Sequence, residues 1–381
     1  MQPAVRFIVC LGIVSLFADI TYEGARSLSG PFLAGLGASA AVVGAIGGAG
    51  EFIGYGLRYL SGLLADRMRR YWLVLFLGYG LNLAAVPMLA LAGTWQLAAV
   101  LLLLERFGKA IRAPARDALL SHAASQTGRG WGFGLHEALD QIGAVTGPLL
   151  VAGVLAKQGS YSAAFAMLAI PAACAMLALT SGRLLYPAPL DFEPPNRRWD
   201  THSLPRVFWI YTAGAALLAF GFADFALIAF HVKKAALLPD PWIPVLYAAA
   251  MGTDAIAALL LGAWFDRAPR LPVLFASLFG LLASPLLFLG SLSWVIAGMV
   301  LWGASLGAQE SVLRAALAEM VPPHRRATAY GIFHGLFGLA WFLGSALLGL
   351  LYERNMLALV AVSVAAQAAS IALFRKPAGL R

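Results

Sequence analysis

Gly62-Leu63-Leu64-Ala65-Asp66-Arg67-Met68-Arg69-Arg70 ends one long apolar run and is followed at once by another. The runs on either side, 40–64 and 72–92, each supply the roughly 20 apolar residues that a helix needs to cross ~30 Å of hydrocarbon. A weaker copy, Gly262-Ala263-Trp264-Phe265-Asp266-Arg267, closes the run 242–264 and precedes the run 271–289. An Asp at such a helix end can pair with arginines across the turn and with a neighbouring helix N-terminus, holding one conformation until the pairing breaks. Asp66, Arg67, Asp266 and Arg267 are therefore expected to act in gating, against the simpler alternative of charge anchoring at an interface.

Outward from these two stretches the whole chain has the same character. Its 381 residues are 61% hydrophobic and only 12% charged, with a mean hydropathy of +0.79. So much apolar surface cannot be hidden inside one water-soluble globule and requires lipid as solvent. Membrane helices tolerate the 40 glycines and 20 prolines, because neighbouring helices re-satisfy freed backbone groups and small residues allow close approach. The expectation is an all-α membrane protein with twelve spans: 7–34, 40–64, 72–92, 96–118, 130–156, 161–185, 207–232, 242–264, 271–289, 293–316, 328–351 and 356–375. The first is a membrane helix rather than a removable signal, having no short apolar region followed by a cleavage site.

An even number of spans puts both termini on one side. Sixteen Lys and Arg residues fall in the tails and the loops after every second span or, as Arg183 and Arg375 do, at the span ends beside them, against four, Lys157, Lys233, Lys234 and Arg354, in the opposite loops. That asymmetry assigns both tails to the cytoplasm of a bacterial-type plasma membrane. The formal charge of +9 thus reads as topology, not as nucleic-acid binding. Residues 186–205 are too polar and proline-rich to span and form a cytoplasmic linker between 1–185 and 206–381. Internal similarity agrees: Phe17-Ala18-Asp19 is matched by Phe222-Ala223-Asp224, while Arg116 and His136 correspond to Arg314 and His334. Matches at a nearly constant offset indicate two parallel six-helix repeats.

With these features in place the chain resembles the major facilitator superfamily over essentially its whole length. Gly62–Arg70 looks like the superfamily's G-x-x-x-D-R-x-G-R-R signature, with Arg69 at the second glycine. Gly143-Ala144-Val145-Thr146-Gly147-Pro148 resembles the G-x-x-x-G-P element of drug/proton antiporters, although Val151 and Ala152 replace its trailing glycine pair. Arg106 falls where that subgroup places a buried arginine, with Lys109 and Ala110 in place of the downstream glutamine and glycine. The resemblance implies two pseudo-symmetric six-helix bundles, a pathway lined by the first, fourth, seventh and tenth helices, and proton-coupled export.

Ionisable groups inside the membrane are costly, and each is a functional hypothesis by default. Asp19, Glu23 and Arg26 recur at steps of four and three in the first span, and Glu105, Lys109, Arg112 and Arg116 at four, three and four in the fourth. Each set forms one stripe. Glu51 and Arg58, His136, Glu137 and Asp140, Asp224, Asp254, Glu310, Arg314 and His334 complete the inventory. Burial disfavours a charged carboxylate and a nearby arginine favours it, so making and breaking such a pair can load and release a proton. Asp19, Glu23, Glu51 and Asp140 are the candidates for proton coupling.

Arg26, Lys109, Arg112, Glu137, Asp224 and Glu310 are the candidates for substrate contact, since guanidinium forks match carboxylate and phosphate. Arg116 is a further gating candidate. The alternative for the fourth-span stripe is a structural network neutralising Glu23, Glu51, Glu137 and Asp140.

Function classes follow from what is present and what is not. His136 and His334 belong to different halves and lack the cysteine or closely spaced carboxylate partners that a transition-metal site usually shows, so no metal is expected. Cys10 and Cys174 lie in apolar runs and make neither a disulfide framework nor a CxxC site. There is no Gly-rich phosphate loop ending in Gly-Lys-Ser or Gly-Lys-Thr, no cofactor is implied, and no nucleophile with a base at recognisable spacing argues for an enzyme. The expected activity is secondary active transport by alternating access, as proton-coupled efflux of a small organic, anionic or zwitterionic solute. The expected partners are that solute, protons and the lipid bilayer, with a monomer sufficing. The rivals are proton-coupled uptake of an anionic nutrient, and a non-transporting sensor or lipid scramblase on the same scaffold.

Overall fold

In lipid every backbone N–H and C=O must be satisfied within the chain, which leaves helices as the natural form for such apolar runs. The computed structural model describes residues 3–68, 70–125, 129–187, 204–265, 267–268, 270–321 and 326–375, and no strand occurs among them. In chain order the helices are α1 (Pro3–Gly35), α2 (Ala40–Met68), α3 (Tyr71–Met88), α4 (Trp95–Ser125), α5 (Arg129–Gln158), α6 (Tyr161–Met167) and α7 (Ala169–Leu185). There follow α8 (Arg206–Gly221), α9 (Phe225–Lys234), α10 (Trp242–Phe265), α11 (Arg270–Leu289), α12 (Leu292–Met320), α13 (Arg326–Arg354) and α14 (Met356–Phe374).

Taken together, α6 with α7 form one span and α8 with α9 another, so these helices make twelve. Eleven are long and apolar enough to cross a membrane. The twelfth, α4, is as long but carries Glu105, Arg106, Lys109, Arg112, Arg116 and Asp117.

Three boundaries differ from the sequence expectation for physical reasons. The segment Gly62–Met68 lies in the last turns of α2 rather than in a loop, because Leu63, Leu64, Ala65 and Met68 are strong helix formers. The side chains of Asp66, Arg67 and Arg314, and all of Asp266, lie outside the described residues. The sixth span is interrupted at Leu168, between α6 and α7.

The seventh span breaks between Gly221 and Phe225, and there Asp224 caps α9 by accepting the Ala226 N–H at 2.8 Å. The Trp302 indole donates to the Ala223 carbonyl at 2.9 Å, satisfying an acceptor that the break releases from the helix ladder. The matching Phe17-Ala18-Asp19 sits in the unbroken α1, so the shared triplet encodes no shared backbone.

The chain packs as two compact units. One comprises Met1–Ser29 and Leu57–Arg197, the other Gly30–Gly56 and Arg198–Arg381, so α1 and α2 contribute to both. Within the first unit α3 and α4 cross at Gly78 and Gly108. A Cβ on Gly78 would stand 2.7 Å from the Arg112 backbone nitrogen and 2.9 Å from the Gly108 carbonyl oxygen. Glycine is what lets these backbones meet.

Within the second unit, α14 is sewn to α8 by Ser363, Gln367 and Ser370, which share one face. They donate to the carbonyls of Gly221 at 2.6 Å, Leu218 at 3.1 Å and Gly214 at 2.7 Å. Lipid removes the hydrophobic drive between helices, so such bonds, worth about 0.6 kcal/mol each, count. Combining Ser363→Ala, Gln367→Leu and Ser370→Ala is expected to lower stability by about 2 kcal/mol, read as a lower unfolding temperature in detergent.

Candidate functional site

The charges of α4 are accommodated because α1, α3 and α5 of the first unit turn polar groups toward them. At one end, Asn82 of α3 donates to the Glu105 carboxylate at 2.7 Å and to the Glu105 carbonyl at 3.0 Å, while Arg106 lies 3.3 Å from the same carboxylate. One turn on, Lys109 stands 3.6 Å from Glu23 of α1 and 3.9 Å from the centre of the Tyr22 ring. At the far end, Arg116 reaches Asp140 of α5 at 3.5 Å, Ser15 at 3.3 Å and Asp117 at 3.0 Å. His136 joins this group through Ser15 at 3.0 Å and Asp140 at 3.5 Å.

Arg112, between these two ends, is different. Only 1% of it is exposed, and none of its three guanidinium nitrogens has a hydrogen-bond partner among the described residues. Aromatic faces flank it instead: its Cζ lies 4.3 Å from the Tyr79 ring centre and 5.4 Å from that of Tyr22. A desolvated cation over an aromatic face gains about 2 kcal/mol. Burying a charge without hydrogen bonds costs several kcal/mol, so the rings offset only part of the penalty. Asp19, the nearby acid of α1, is buried and accepts the Tyr22 hydroxyl.

The G-x-x-x-G-P element of α5 is what brings α5 onto this face of α1. A Cβ on Gly143 would stand 2.8 Å from the Asp19 Cβ, and one on Gly147 would stand 2.9 Å from the Ile20 Cα and 3.0 Å from the Gly24 nitrogen. The two glycines are one helical turn apart and let the backbones touch. Gly143→Leu is expected to push α5 off α1 and displace Asp19, lowering stability by about 1–3 kcal/mol, the usual cost of overpacking. The unfolding temperature in detergent checks it.

Of the residues singled out in the sequence, Asp19, Glu23, Asp140, Lys109, Arg112 and Arg116 gather in this cluster. Arg26 is half-buried on the same helix as Asp19 and Glu23. Glu137 is on the exposed side of α5, where Gln141 donates to it at 3.5 Å, because only His136 and Asp140 share the inward face. Glu51, Asp224 and Glu310 belong to the second unit. Glu51 and Asp224 are buried there, Asp224 serving as the cap of α9, and Glu310 is half-buried on α12. Arg267 is exposed, its guanidinium 3.3 Å from the Ala263 carbonyl.

Pattern reading missed Ser15, Tyr22, Tyr79 and Asn82. The signal was present: Ser15 and Tyr22 stand four residues before and three after Asp19, and Tyr79 and Asn82 are three apart in an otherwise apolar span. Among the described residues no group of three or more His, Cys, Asp or Glu could hold a metal ion.

Comparisons with known proteins agree with this architecture. The chain is 43% identical over 370 residues to the Mycobacterium tuberculosis protein Rv2265, covering 94% of this chain and 90% of that one. It is 24% identical over 355 residues to the MFS-type transporter MJ1317 of Methanocaldococcus jannaschii, covering 90% and 87%. Among solved structures it is similar to the nucleoside transporter NupG, with a TM-score of 0.75 at 14% identity over 97% of this chain and 100% of that one. The peptide transporter POT in complex with sulfate gives a TM-score of 0.77 at 16% identity, covering 97% and 93%. The Major Facilitator Superfamily profile itself matches residues 11–235 and 239–379. With that match across nearly the whole chain, the protein belongs to the Major Facilitator Superfamily, as a multi-pass membrane transporter of small molecules and not an enzyme.

Proposed function

We propose that the protein is a proton-coupled carrier of a small organic anion, working by alternating access with the α1–α4–α5 cluster of its first unit as the recognition and coupling site. The observation that carries this reading is Arg112, a fully buried guanidinium whose forked donors find no acceptor among the described residues. A carboxylate or phosphate group is the natural complement of that fork. Asp19 supplies the proton site beside it, with Glu23, Glu51 and Asp140 as further acids. Asp66, Arg67, Asp266, Arg267 and Arg116 are assigned to gating, and Arg26, Lys109, Glu137, Asp224 and Glu310 to the solute path. The carrier is a monomer, with six-helix halves 1–185 and 206–381 joined by 186–205, and both tails in the cytoplasm.

Two directions suit such a carrier, and each has its own support. The resemblance of Gly143–Pro148 to the antiporter element favours export in exchange for protons. The nearness of Asp19 to Arg112 favours an anion and a proton moving together, which under an inward proton gradient means uptake. Reconstituted vesicles exposed to a panel of carboxylates, phosphate esters and zwitterions, with internal pH recorded, separate them. A solute that acidifies the lumen as it enters indicates co-transport, and one that alkalinises it indicates exchange. A solute that binds without flux under any gradient would mark a sensor, and mixing of labelled lipids without a gradient would mark a scramblase. Either result would remove the carrier reading.

A further inference from the structure

At the end of the first unit where the chain begins, α1, α3 and α7 meet around a group of rings. Phe7 of α1 lies edge-on to Trp72 of α3 at 6.2 Å and to Tyr186, the residue that closes α7, at 4.8 Å. The Trp72 indole donates to the Tyr186 carbonyl at 3.2 Å, so three helix ends are tied together in one place. Each end also carries an exposed arginine. Arg6 precedes Phe7, Arg70 caps α3 just before Trp72, and Arg183 lies in the last turn of α7. The Arg183 guanidinium stands 5.6 Å from the centre of the Phe76 ring, one turn along α3 from Trp72, which holds it over the seam between α3 and α7.

No acid answers these three positive charges. Neither α3 nor α7 contains Asp or Glu, and the first acid of α1, Asp19, is about 20 Å along the helix from Arg6. None of the three arginines joins an ion pair among the described residues. Deeper along the same two helices the surface is apolar. Leu77 lies about 10 Å past Arg70 on α3 and Leu177 about 9 Å before Arg183 on α7. They are 54% and 67% exposed, and in a span side chains so placed face acyl chains.

We infer that this corner is a binding site for one anionic phospholipid, its phosphate held by Arg6, Arg70 and Arg183 and its acyl chains lying against the leucines of α3 and α7. Guanidinium forks match phosphate oxygens, and basic pockets between spans are where acidic headgroups lodge. Trp72 and Tyr186 suit the same level, since amphipathic rings sit at the height of the headgroups. A soluble phosphate would use the arginines alone, whereas a lipid also covers the leucines at the depth its chains reach. The site is separate from the α1–α4–α5 cluster and stands whichever solute is carried and in whichever direction.

The test uses purified full-length protein, stripped of lipid in detergent and titrated with phosphatidylglycerol or with phosphatidylcholine of the same acyl chains. Retained lipid is counted by native mass spectrometry. One phosphatidylglycerol is expected to be held at least about tenfold more tightly than phosphatidylcholine. Each arginine near an anionic surface contributes about fivefold, so Arg183→Gln should weaken phosphatidylglycerol by about that factor and Arg6→Gln with Arg183→Gln by about 25-fold. Lys157→Gln with Arg354→Gln removes the same charge at the ends of α5 and α13 and should leave the lipid in place. Inorganic phosphate should not displace it.

All the substituted side chains are exposed, and gel filtration with the unfolding temperature in lipid-free detergent checks that each variant is folded. Equal affinity for the two lipids or undiminished binding in both arginine variants would overturn the inference. So would an equal loss in the Lys157 and Arg354 pair, which would mark overall charge as the cause, or displacement by inorganic phosphate, which would mark a soluble anion as the occupant.

Discussion

Arg112→Gln is expected to abolish anion transport, lowering affinity for the transported anion by about 100-fold or more, the usual cost of removing one partner from a buried charge pair. Gln keeps a polar head of similar reach but has neither the charge nor the fork. Arg112→Lys separates those two contributions: a lysine restores the charge as a single point, and its recovery is expected to be partial because bidentate recognition is lost. Tyr79 and Tyr22 pack against the side chain in either variant, so folding should survive. Equilibrium binding of the solute to purified protein measures both. Full activity in Arg112→Gln would mean that the guanidinium serves only to neutralise its neighbours.

Asp19→Asn should uncouple the carrier. Asparagine is nearly isosteric and can still accept from Tyr22, so α1 should keep its seat against α5. What it cannot do is exchange a proton. Solute exchange down its own gradient should therefore continue, while accumulation against a gradient driven by pH falls by about tenfold or more, as losses of a proton-transferring group typically do. Parallel recordings of solute and internal pH in the same vesicles supply the measurement. The comparison with Arg112→Gln is informative because that variant should lose both kinds of flux.

Most of the fold could be read from the residues because lipid permits so few solutions. A run such as 72–92 has one stable form in hydrocarbon, and α3 is that form. The breaks were hidden for the opposite reason. Phe17-Ala18-Asp19 and Phe222-Ala223-Asp224 are the same triplet, yet only the second interrupts its helix, where Trp302, far along the chain, is placed to satisfy the Ala223 carbonyl. Spacing alone put Asp19, Glu23, Lys109 and Arg112 on common faces, and the structure brings those faces together. Spacing could not reveal that Arg112 has no acceptor among the described residues or that Tyr22 engages Asp19, since both depend on which helices approach. That approach is set by Gly78, Gly108, Gly143 and Gly147, whose effect lies in the atoms they lack.

On the proposed reading, the buried charges of α1 and α4 couple a proton to an anion. Vesicles clamped at zero membrane voltage, with an imposed inward pH gradient and the anion equal on both sides, test it most directly. Wild-type protein should concentrate the anion inside while the lumen acidifies, and Asp19→Asn should do neither. Equal accumulation by the two proteins, or accumulation without proton movement, would rule out that coupling.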